Sequence, residues 1–244
     1  MKRLIFLTGA GMSAESGIRT FREAGGLWEE YDVTEVASPE GWMRNRELVL
    51  RFYNERRRQL EKCQPNAGHQ GVAALEKHFD VEVITQNIDN LHERAGSSKV
   101  LHLHGELTKA RSTEDPFLVY DIGYGDIREG DLCEKGSQLR PHIVWFGEAV
   151  PMMDEAVRIT QTADNFVVIG SSLNVYPAAG LIEFAPAAAS LWLIDPNDVY
   201  LPGYRKVEVI KARASDGVKI LTERLLGKGP VSYTHLTLPT NYSV

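Results

Sequence analysis

The stretch that most constrains this 244-residue chain is Leu4 to Ser16, LIFLTGAGMSAES, an apolar run that stops on glycine and opens into small, helix-compatible residues. Such a run predicts a strand, a tight turn and a helix start. Gly9, Gly11 and Ala14 fit the G-x-G-x-x-G/A spacing, in which the first glycine makes the turn, the second admits a pyrophosphate and the small third residue lets helix and strand pack closely. The helix start then offers N–H groups to phosphate. The next convincing strand, Val81 to Thr85, comes too late for a compact strand–helix–strand unit, and no ribose-binding acid stands at the usual distance. Something is inserted after the glycine loop.

Composition narrows the alternatives. With 43% hydrophobic and 25% charged residues the chain can bury a real core as one domain with an elaboration. A net charge of −6 argues against a general nucleic-acid or membrane surface, and Arg56-Arg57-Arg58 is the only dense basic run. Two cysteines, Cys63 and Cys133, are too few for a disulfide framework or an all-cysteine zinc site, which suits a reducing interior. Met1-Lys2-Arg3 enters a strand at once, leaving no room for a signal peptide, and no apolar stretch approaches a membrane span. A cytoplasmic protein is expected.

After the turn, Gly17 to Trp28 lacks a period and reads as a loop able to close over a ligand. Pro39 to Gln64 is helical in pattern, with Leu48, Phe52, Arg56 and Leu60 four apart, and is the first inserted module. Pro65-Asn66 breaks it, and a helix from Ala67 to Phe79 leads into Val81 to Thr85. Val100 to His104 is a further short strand. Glu106 to Leu139 is polar and glycine-rich, and reads as a second, loosely structured insertion. Strands return at His142 to Phe146, Phe166 to Gly170, Leu191 to Ile194 and Val207 to Ile210, with helices from about Met152 to Ala163 and Asp216 to Leu226. In the last helix Val218, Leu221, Thr222 and Leu225 share a face. This alternation predicts an α/β, Rossmann-like parallel sheet with helices on both faces and ligands beyond the strand C-termini. The expected division is a Rossmann-like unit of residues 1–25, 65–105 and 142–227, a small unit of 26–64 and 106–141, and a disordered, non-native tail at 228–244.

Several polar clusters lie at the predicted strand ends. His102 and His104 alternate on a strand and face one side, so with His92 they could hold a metal, which makes a metal-dependent hydrolase a competing reading. No further cluster completes that set, so His102 reads better as a core or supporting histidine. His104, beside Gly105, is the better general base, because an imidazole titrates near working pH. Asn87 and Asp89 could grip an amide, or one of them could cap the helix Ile88 to Arg94. Gly170-Ser171-Ser172 reads as a second phosphate- or ribose-binding turn or a plain loop. Asp195 is placed for ribose hydroxyls, or is a turn aspartate before Pro196.

Taken together, these residues carry a resemblance. Gly9-Ala10-Gly11-Met12-Ser13, Gly17 to Arg22, TQNIDNLH from Thr85 to His92, His104-Gly105, Arg140-Pro141 with VWFGE from Val144 to Glu148, and Gly170-Ser171-Ser172-Leu173 resemble the sirtuin family, in sirtuin order, over about Lys2 to Leu226. The resemblance implies an NAD-dependent protein-lysine deacylase with a Rossmann domain and a small domain built from two insertions. It further implies that Gly9, Ala10, Gly11, Ser13 and Ala14 cradle the pyrophosphate, and that Thr20, Phe21 and Arg22 stand on the closing loop. Gln86, Asn87 and Asp89 would line the ribose and nicotinamide pocket. The acyl oxygen of the modified lysine would attack the nicotinamide ribose, and His104 would deprotonate a ribose hydroxyl, with Asn87 and Asp89 as its catalytic partners. The products would be nicotinamide and O-acyl-ADP-ribose. Gly170, Ser171, Ser172, Asp195, Asn197 and Ala214 would hold the adenosine end, and Val144, Phe146, Gly147 and Val175 would flank the substrate backbone by strand addition.

Tyr53 and Arg56 lie three apart in the predicted helix Arg46 to Glu61, hence on one face, and could present a hydroxyl and a guanidinium to the same ligand. The alternative is that Arg56 belongs to a solvated arginine run and Tyr53 merely packs. FYNERR, Phe52 to Arg57, resembles the signature of desuccinylase-type bacterial sirtuins, which implies succinyl- or malonyl-lysine as substrate, with acetyl-lysine as a second. Two departures stand out. The family usually has proline where this chain has Arg19, and it carries two Cys-x-x-Cys pairs where Glu106 to Leu139 has only Cys133. No structural zinc is expected, and the insertion would be held by packing through Phe117, Leu118, Tyr120 and Tyr124. NAD hydrolysis, ADP-ribosyl transfer and a non-catalytic NAD- or ADP-ribose-binding module are the competing functions.

Overall fold

The computed structural model describes residues 1–18, 31–173, 175–199 and 205–227, so the expectations for Thr20, Phe21, Arg22 and the 228–244 tail lie outside the described residues. The first strand, β1 (Arg3–Thr8), is followed by a short helix, α1 (Gly11–Ala14). Helices α2 (Val33–Val36), α3 (Pro39–Arg44), α4 (Arg46–Lys62) and α5 (Ala67–Ala74) come next. Their starts are set by side chains that accept free N–H groups: Asp32 from Thr34, Ser38 from Gly41, Asn45 from Leu48, and Asn66 from Gly68 and His69. Asn66 and His69 close a reciprocal capping box.

The chain continues through β2 (Asp80–Thr85), α6 (Leu91–Arg94), β3 (Val100–His102), β4 (Gly105–Ser112), β5 (Val119–Asp121) and β6 (Leu139–Ile143). It ends with α7 (Met153–Thr160), β7 (Asn165–Ile169), α8 (Leu181–Phe184), β8 (Ser190–Ile194), β9 (Val207–Ile210) and α9 (Ala214–Leu225). Six strands form one parallel sheet in the order β3-β2-β1-β7-β8-β9. The winding direction reverses at β1, whose neighbours are β2 on one side and β7 on the other. In such a sheet the crevice beyond the strand ends at that reversal is where ligands bind.

Alternation along β1 supplies both faces of the sheet. Ile5 and Leu7 pack with Leu103, Phe166, Val168 and Leu181 on one side, and Leu4 and Phe6 pack with Val72, Val167, Trp192, Val218 and Leu221 on the other. A third core, separate from these, joins the two insertions: Val49, Phe52, Tyr53 and Leu60 of α4 meet Leu107, Ala110, Ile127, Ile143 and Trp145.

Five sequence expectations are corrected by the structure. The run His142 to Phe146 is not a strand of the parallel sheet. It contributes only its start to β6, which pairs antiparallel with β4, because Gly105 turns the chain back toward the small core that takes Ile143 and Trp145. Residues 106–139 are not loosely structured throughout, since β5-β4-β6 form a three-stranded antiparallel sheet. Phe117 does not hold this insertion, being 91% exposed, whereas Tyr124, one of the residues expected there, packs against the core together with Ile122 and Ile127. Nor is the arginine run wholly solvated. Arg57 is fully buried, its Nε donating to the Leu107 carbonyl at 2.7 Å and its Nη1 to Asn54 Oδ1 at 2.5 Å. The helix expected from Ile88 begins at Leu91, so Ile88 to Asn90 remain loop.

Helix α9 rests on β8 at Gly217, where a Cβ would lie 2.1 Å from Ile194 Cγ2. Gly217→Ala is expected to cost about 1–3 kcal/mol by overpacking. In a domain of this size that lowers Tm by roughly 2–10 °C, as thermal unfolding followed by circular dichroism would measure.

Candidate functional site

The crevice is built on a contact between backbones. Gly9 N donates to the Ile169 carbonyl and Gly11 N to the Gly170 carbonyl, both at 2.9 Å. A Cβ on Gly11 would stand 2.7 Å from Gly170 Cα, and one on Gly9 2.7 Å from the Gly170 oxygen. Gly170 itself has φ +59°, a conformation side chains disfavour. The ends of β1 and β7 are thereby joined backbone to backbone.

The residues after β2 are tied to this turn. Asn87 Nδ2 donates to the Gly9 carbonyl at 3.0 Å and to Ser13 Oγ at 3.1 Å, and Ser13 Oγ donates to Asp89 Oδ2 at 2.9 Å. Ser13 is buried, so its side chain acts as the joint between Asn87 and Asp89 rather than as an exposed phosphate donor. Asp89 also accepts the Leu91 N–H at 3.1 Å, which caps the start of α6. Burial pushes the Asp89 carboxyl up, against the pull of the Leu91 and Ser13 hydrogen bonds. Gln86 Nε2 donates to Ser171 Oγ at 3.0 Å, which bridges the ends of β2 and β7.

His104 lies just past β3, not within it, and its Nδ1 is 2.9 Å from the Gln86 carbonyl. A carbonyl only accepts, so Nδ1 carries the proton and Nε2 keeps its lone pair. Burial lowers the His104 pKa, although the Gln86 hydrogen bond works the other way. The ring is therefore neutral and basic at physiological pH. Val144 N donates to the His104 carbonyl at 2.9 Å, so the segment before Trp145 is anchored to the same residue.

His102 is committed elsewhere, with Nε2 2.7 Å from Glu93 and Nδ1 3.1 Å from the Asn87 carbonyl. Burial opposes its charge, but the Glu93 carboxylate outweighs that and raises its pKa. His92 Nε2 meets Thr8 Oγ1 at 3.2 Å, and its ring packs on His69 at 4.8 Å. The three histidines considered as metal ligands thus have separate partners. Among the described residues no group of three or more His, Cys, Asp or Glu could hold a metal ion. The family-type zinc site does not fit this chain, because Cys133, buried with Sγ 3.4 Å from Ser112 Oγ, is the only cysteine between His104 and Trp145.

On the far side of the crevice, Gly170 N donates to the Ile194 carbonyl, which places Asp195 beside the Gly170-Ser171 turn. Asp195 is buried and accepts the Asn197 N–H at 2.8 Å, while Asn197 and Ser172 are exposed. Ala214 is buried at the start of α9 against Gly68. Phe146 and Gly147 are exposed, with Phe146 N bonded to the Ala37 carbonyl, and Val144 and Val175 are half-buried. Tyr53 is buried with its hydroxyl accepting from Trp145 Nε1 at 3.0 Å. The Arg56 guanidinium lies 4.7 Å from the Phe52 ring centroid and 6.0 Å from that of Tyr31. Sequence reasoning missed His69, Arg140, Trp145 and Glu148 as parts of this arrangement. Only the partnership of Arg140-Pro141 with VWFGE hinted at the last three.

A parallel sheet whose reversal point carries a glycine turn, a buried Asn–Ser–Asp joint and a neutral histidine defines a nucleotide-using enzyme. The profile of the Sir2 family matches residues 9–177, and the chain belongs to that family. It is 55% identical over 231 residues to an NAD-dependent protein deacylase of Bacteroides thetaiotaomicron, covering 93% of this chain and 99% of that protein. It also superposes on a Sir2 homologue solved with NAD at 37% identity and a TM-score of 0.83, covering 93% of this chain and 90% of that one. A Sir2 enzyme solved with a deacetylated p53 peptide and 3'-O-acetyl ADP-ribose is 30% identical, with a TM-score of 0.78 and coverage of 91% and 92%.

The buried histidines predict how stability depends on pH. Burial lowers His69 from 6.5 to about 4 and also pushes His92 well below its ordinary value, so the fold holds both neutral, whereas the unfolded chain protonates them below 6.5. Their contribution is complete above that value and is lost as pH falls toward 4. His102, raised by Glu93, acts in the opposite sense. Tm is expected to drop between about pH 7 and 5, and to drop less in His69→Asn, as calorimetry across that range would show.

Proposed function

We propose that this site cleaves NAD to strip acyl groups from protein lysines, with Asn87, Asp89 and His104 carrying the chemistry. The chain is an enzyme of the NAD-dependent protein deacylase class, and acylated proteins are its substrates. The observation that supports these roles above all is the convergence on one crevice of the Gly9–Gly11 turn, the Asn87–Ser13–Asp89 joint and the His104 Nε2 lone pair.

The residues present fit NAD. Backbone at Gly9 to Ser13, bare of side chains where Gly170 approaches, suits a pyrophosphate, with Ala10 and Ala14 flanking it. Gly170, Ser171, Ser172, Asp195, Asn197 and Ala214 suit the adenosine end, and Gln86, Asn87 and Asp89 the nicotinamide end. When bound, NAD supplies a glycosidic bond whose cleavage leaves an electrophilic ribose carbon for the acyl oxygen. The protein's part is placement and proton handling. Asn87 is immobilised by Gly9 and Ser13, so its amide is pre-oriented. His104 receives a hydroxyl proton at Nε2 while Nδ1–H stays bonded to the Gln86 carbonyl, which spreads the developing charge. Val144, Phe146, Gly147 and Val175 flank the peptide backbone.

The acyl groups accepted are succinyl and malonyl, with acetyl as a second substrate. Support comes from Tyr53 and Arg56 on one helix, since a guanidinium can bind a terminal carboxylate bidentately and an acetyl group offers it nothing. Acidic composition and two cysteines support a cytoplasmic enzyme that does not engage nucleic acid or membranes. Among the described residues no helix is long and apolar enough to cross a membrane.

Incubating the protein with NAD and a panel of acyl-lysine peptides, with products identified by mass spectrometry, tests this reading. Release of nicotinamide without peptide deacylation would instead indicate an NAD hydrolase or ADP-ribosyltransferase. His104→Ala is expected to reduce deacylation by at least about 100-fold with NAD affinity largely kept. In the parent enzyme the acid limb of kcat/KM should lie below about pH 6.5, because only the neutral ring acts as base and burial lowers its pKa. Arg56→Met should raise KM for succinyl peptides far more than for acetyl peptides. The purified protein should contain far less than one zinc per chain by elemental analysis, one cysteine being unable to close a four-ligand site.

A further inference from the structure

A polar chain lies outside the nucleotide crevice, running from Glu148 to Tyr53. Glu148 accepts both terminal nitrogens of Arg140, at 2.7 and 3.1 Å, and the Trp145 backbone N–H at 2.8 Å. Arg111 adds longer contacts to the same carboxylate. The Arg140 guanidinium lies 3.3 Å from the centroid of the Trp145 ring, and Trp42 packs on that ring at 5.7 Å. Backbone, cation and aromatic neighbour therefore fix the indole plane. Its Nε1–H donates to Tyr53 Oη at 3.0 Å, with both residues at least 97% buried.

The polarity of this contact is fixed by chemistry. An indole N–H can only donate, whereas a phenol can accept and donate at once. With Trp145 bonded to the oxygen of Tyr53, the phenolic proton is left to point away from the indole. Accepting a hydrogen bond also strengthens the phenol as a donor, more so in a low-dielectric interior. A tyrosine held this way suits a ligand end that only accepts, such as a carboxylate, and offers little to an acetyl methyl group.

We propose that Trp145 is a positioning residue for acyl selection, orienting the Tyr53 hydroxyl as a donor toward the terminal carboxylate of the acyl chain. The proposal rests on the reading above that Tyr53 and Arg56 face the acyl end. Trp145 stands between Val144 and Phe146, so the segment that flanks the peptide backbone also sets the donor that reads the acyl group.

The test is a double-mutant cycle read as selectivity, the ratio of kcat/KM for succinyl- and acetyl-lysine forms of one peptide. Trp145→Phe keeps an aromatic ring and removes the N–H, while Tyr53→Phe removes the acceptor. The ratio is expected to fall roughly 3- to 10-fold in Trp145→Phe, the worth of one hydrogen bond, mainly through KM for the succinyl peptide. In the Tyr53→Phe background the second change should leave the ratio where it is. Should Trp145→Phe fail to fold, replacement of Trp145 by benzothienylalanine, which has the indole's shape without its N–H, enters the same cycle. Equal losses on both peptides, or a loss of selectivity that persists without the Tyr53 hydroxyl, would overturn the proposal and leave Trp145 a packing residue. A parent enzyme with no succinyl activity would remove the underlying acyl reading. Succinyl activity that Tyr53→Phe weakens and the Trp145 variants spare would remove only the role given to Trp145.

Discussion

The approach of the Gly9–Gly11 turn to Gly170, backbone against backbone, is the constraint on which the rest of the site depends. Two strands that are neighbours in the sheet but far apart in sequence end on glycines, and each glycine occupies space that any Cβ on the other would need. The hydrogen bonds from Gly9 N and Gly11 N then lock the strand ends together. With the turn held in this way, the Gly9 carbonyl accepts from the Asn87 amide. A single methyl group at this point would separate β1 from β7 and carry Asn87 away with it.

Behind that contact the interior is unusually polar for a sheet end. Thr8, Ser13, Thr85, His69, Asn87, Asp89 and His92 are all buried, and each would be costly to bury without a partner. They are partnered by one another: Thr8 with Thr85 and His92, Ser13 with Asn87, Asp89 and His69. Such mutually bonded groups hold one arrangement, because moving any of them strands another. This is how a short loop after β2, without helical support until Leu91, keeps Asn87 and Asp89 in place.

The two insertions reach this site through Arg57. Its guanidinium, buried in the small core and lowered to about 10 by that burial, bonds the Leu107 and Gly125 carbonyls and Asn54. Asn54 in turn exchanges hydrogen bonds with the Ile127 backbone. Leu107 N donates to the Ile88 carbonyl at 2.8 Å, between Asn87 and Asp89. Helix α4, the second insertion and the loop after β2 are therefore one connected structure, tied by a buried cation and backbone groups.

Much of this was legible from the residues. The strand–turn–helix at Leu4 to Ser16, the long helix near Arg46 to Lys62, the strands at 81–85, 166–170, 191–194 and 207–210, and the grouping of polar residues at strand ends all follow from local periodicity, turn chemistry and the spacing of glycines. Those properties belong to a few neighbouring residues, so a sequence states them directly. What the tertiary structure alone decided are matters of which distant residues meet. The apolar run around Val144 carried no sign that its start would pair antiparallel with β4, nor Arg57 that it would be buried while Arg58 stayed out, since a charge run looks alike whichever residue faces the core. The tautomer of His104 was set by the Gln86 carbonyl, and the donor side of Tyr53 by Trp145, 92 residues away. The residue types fixed what chemistry was available here, and long-range hydrogen bonds, which no local pattern encodes, fixed which atoms are free to perform it.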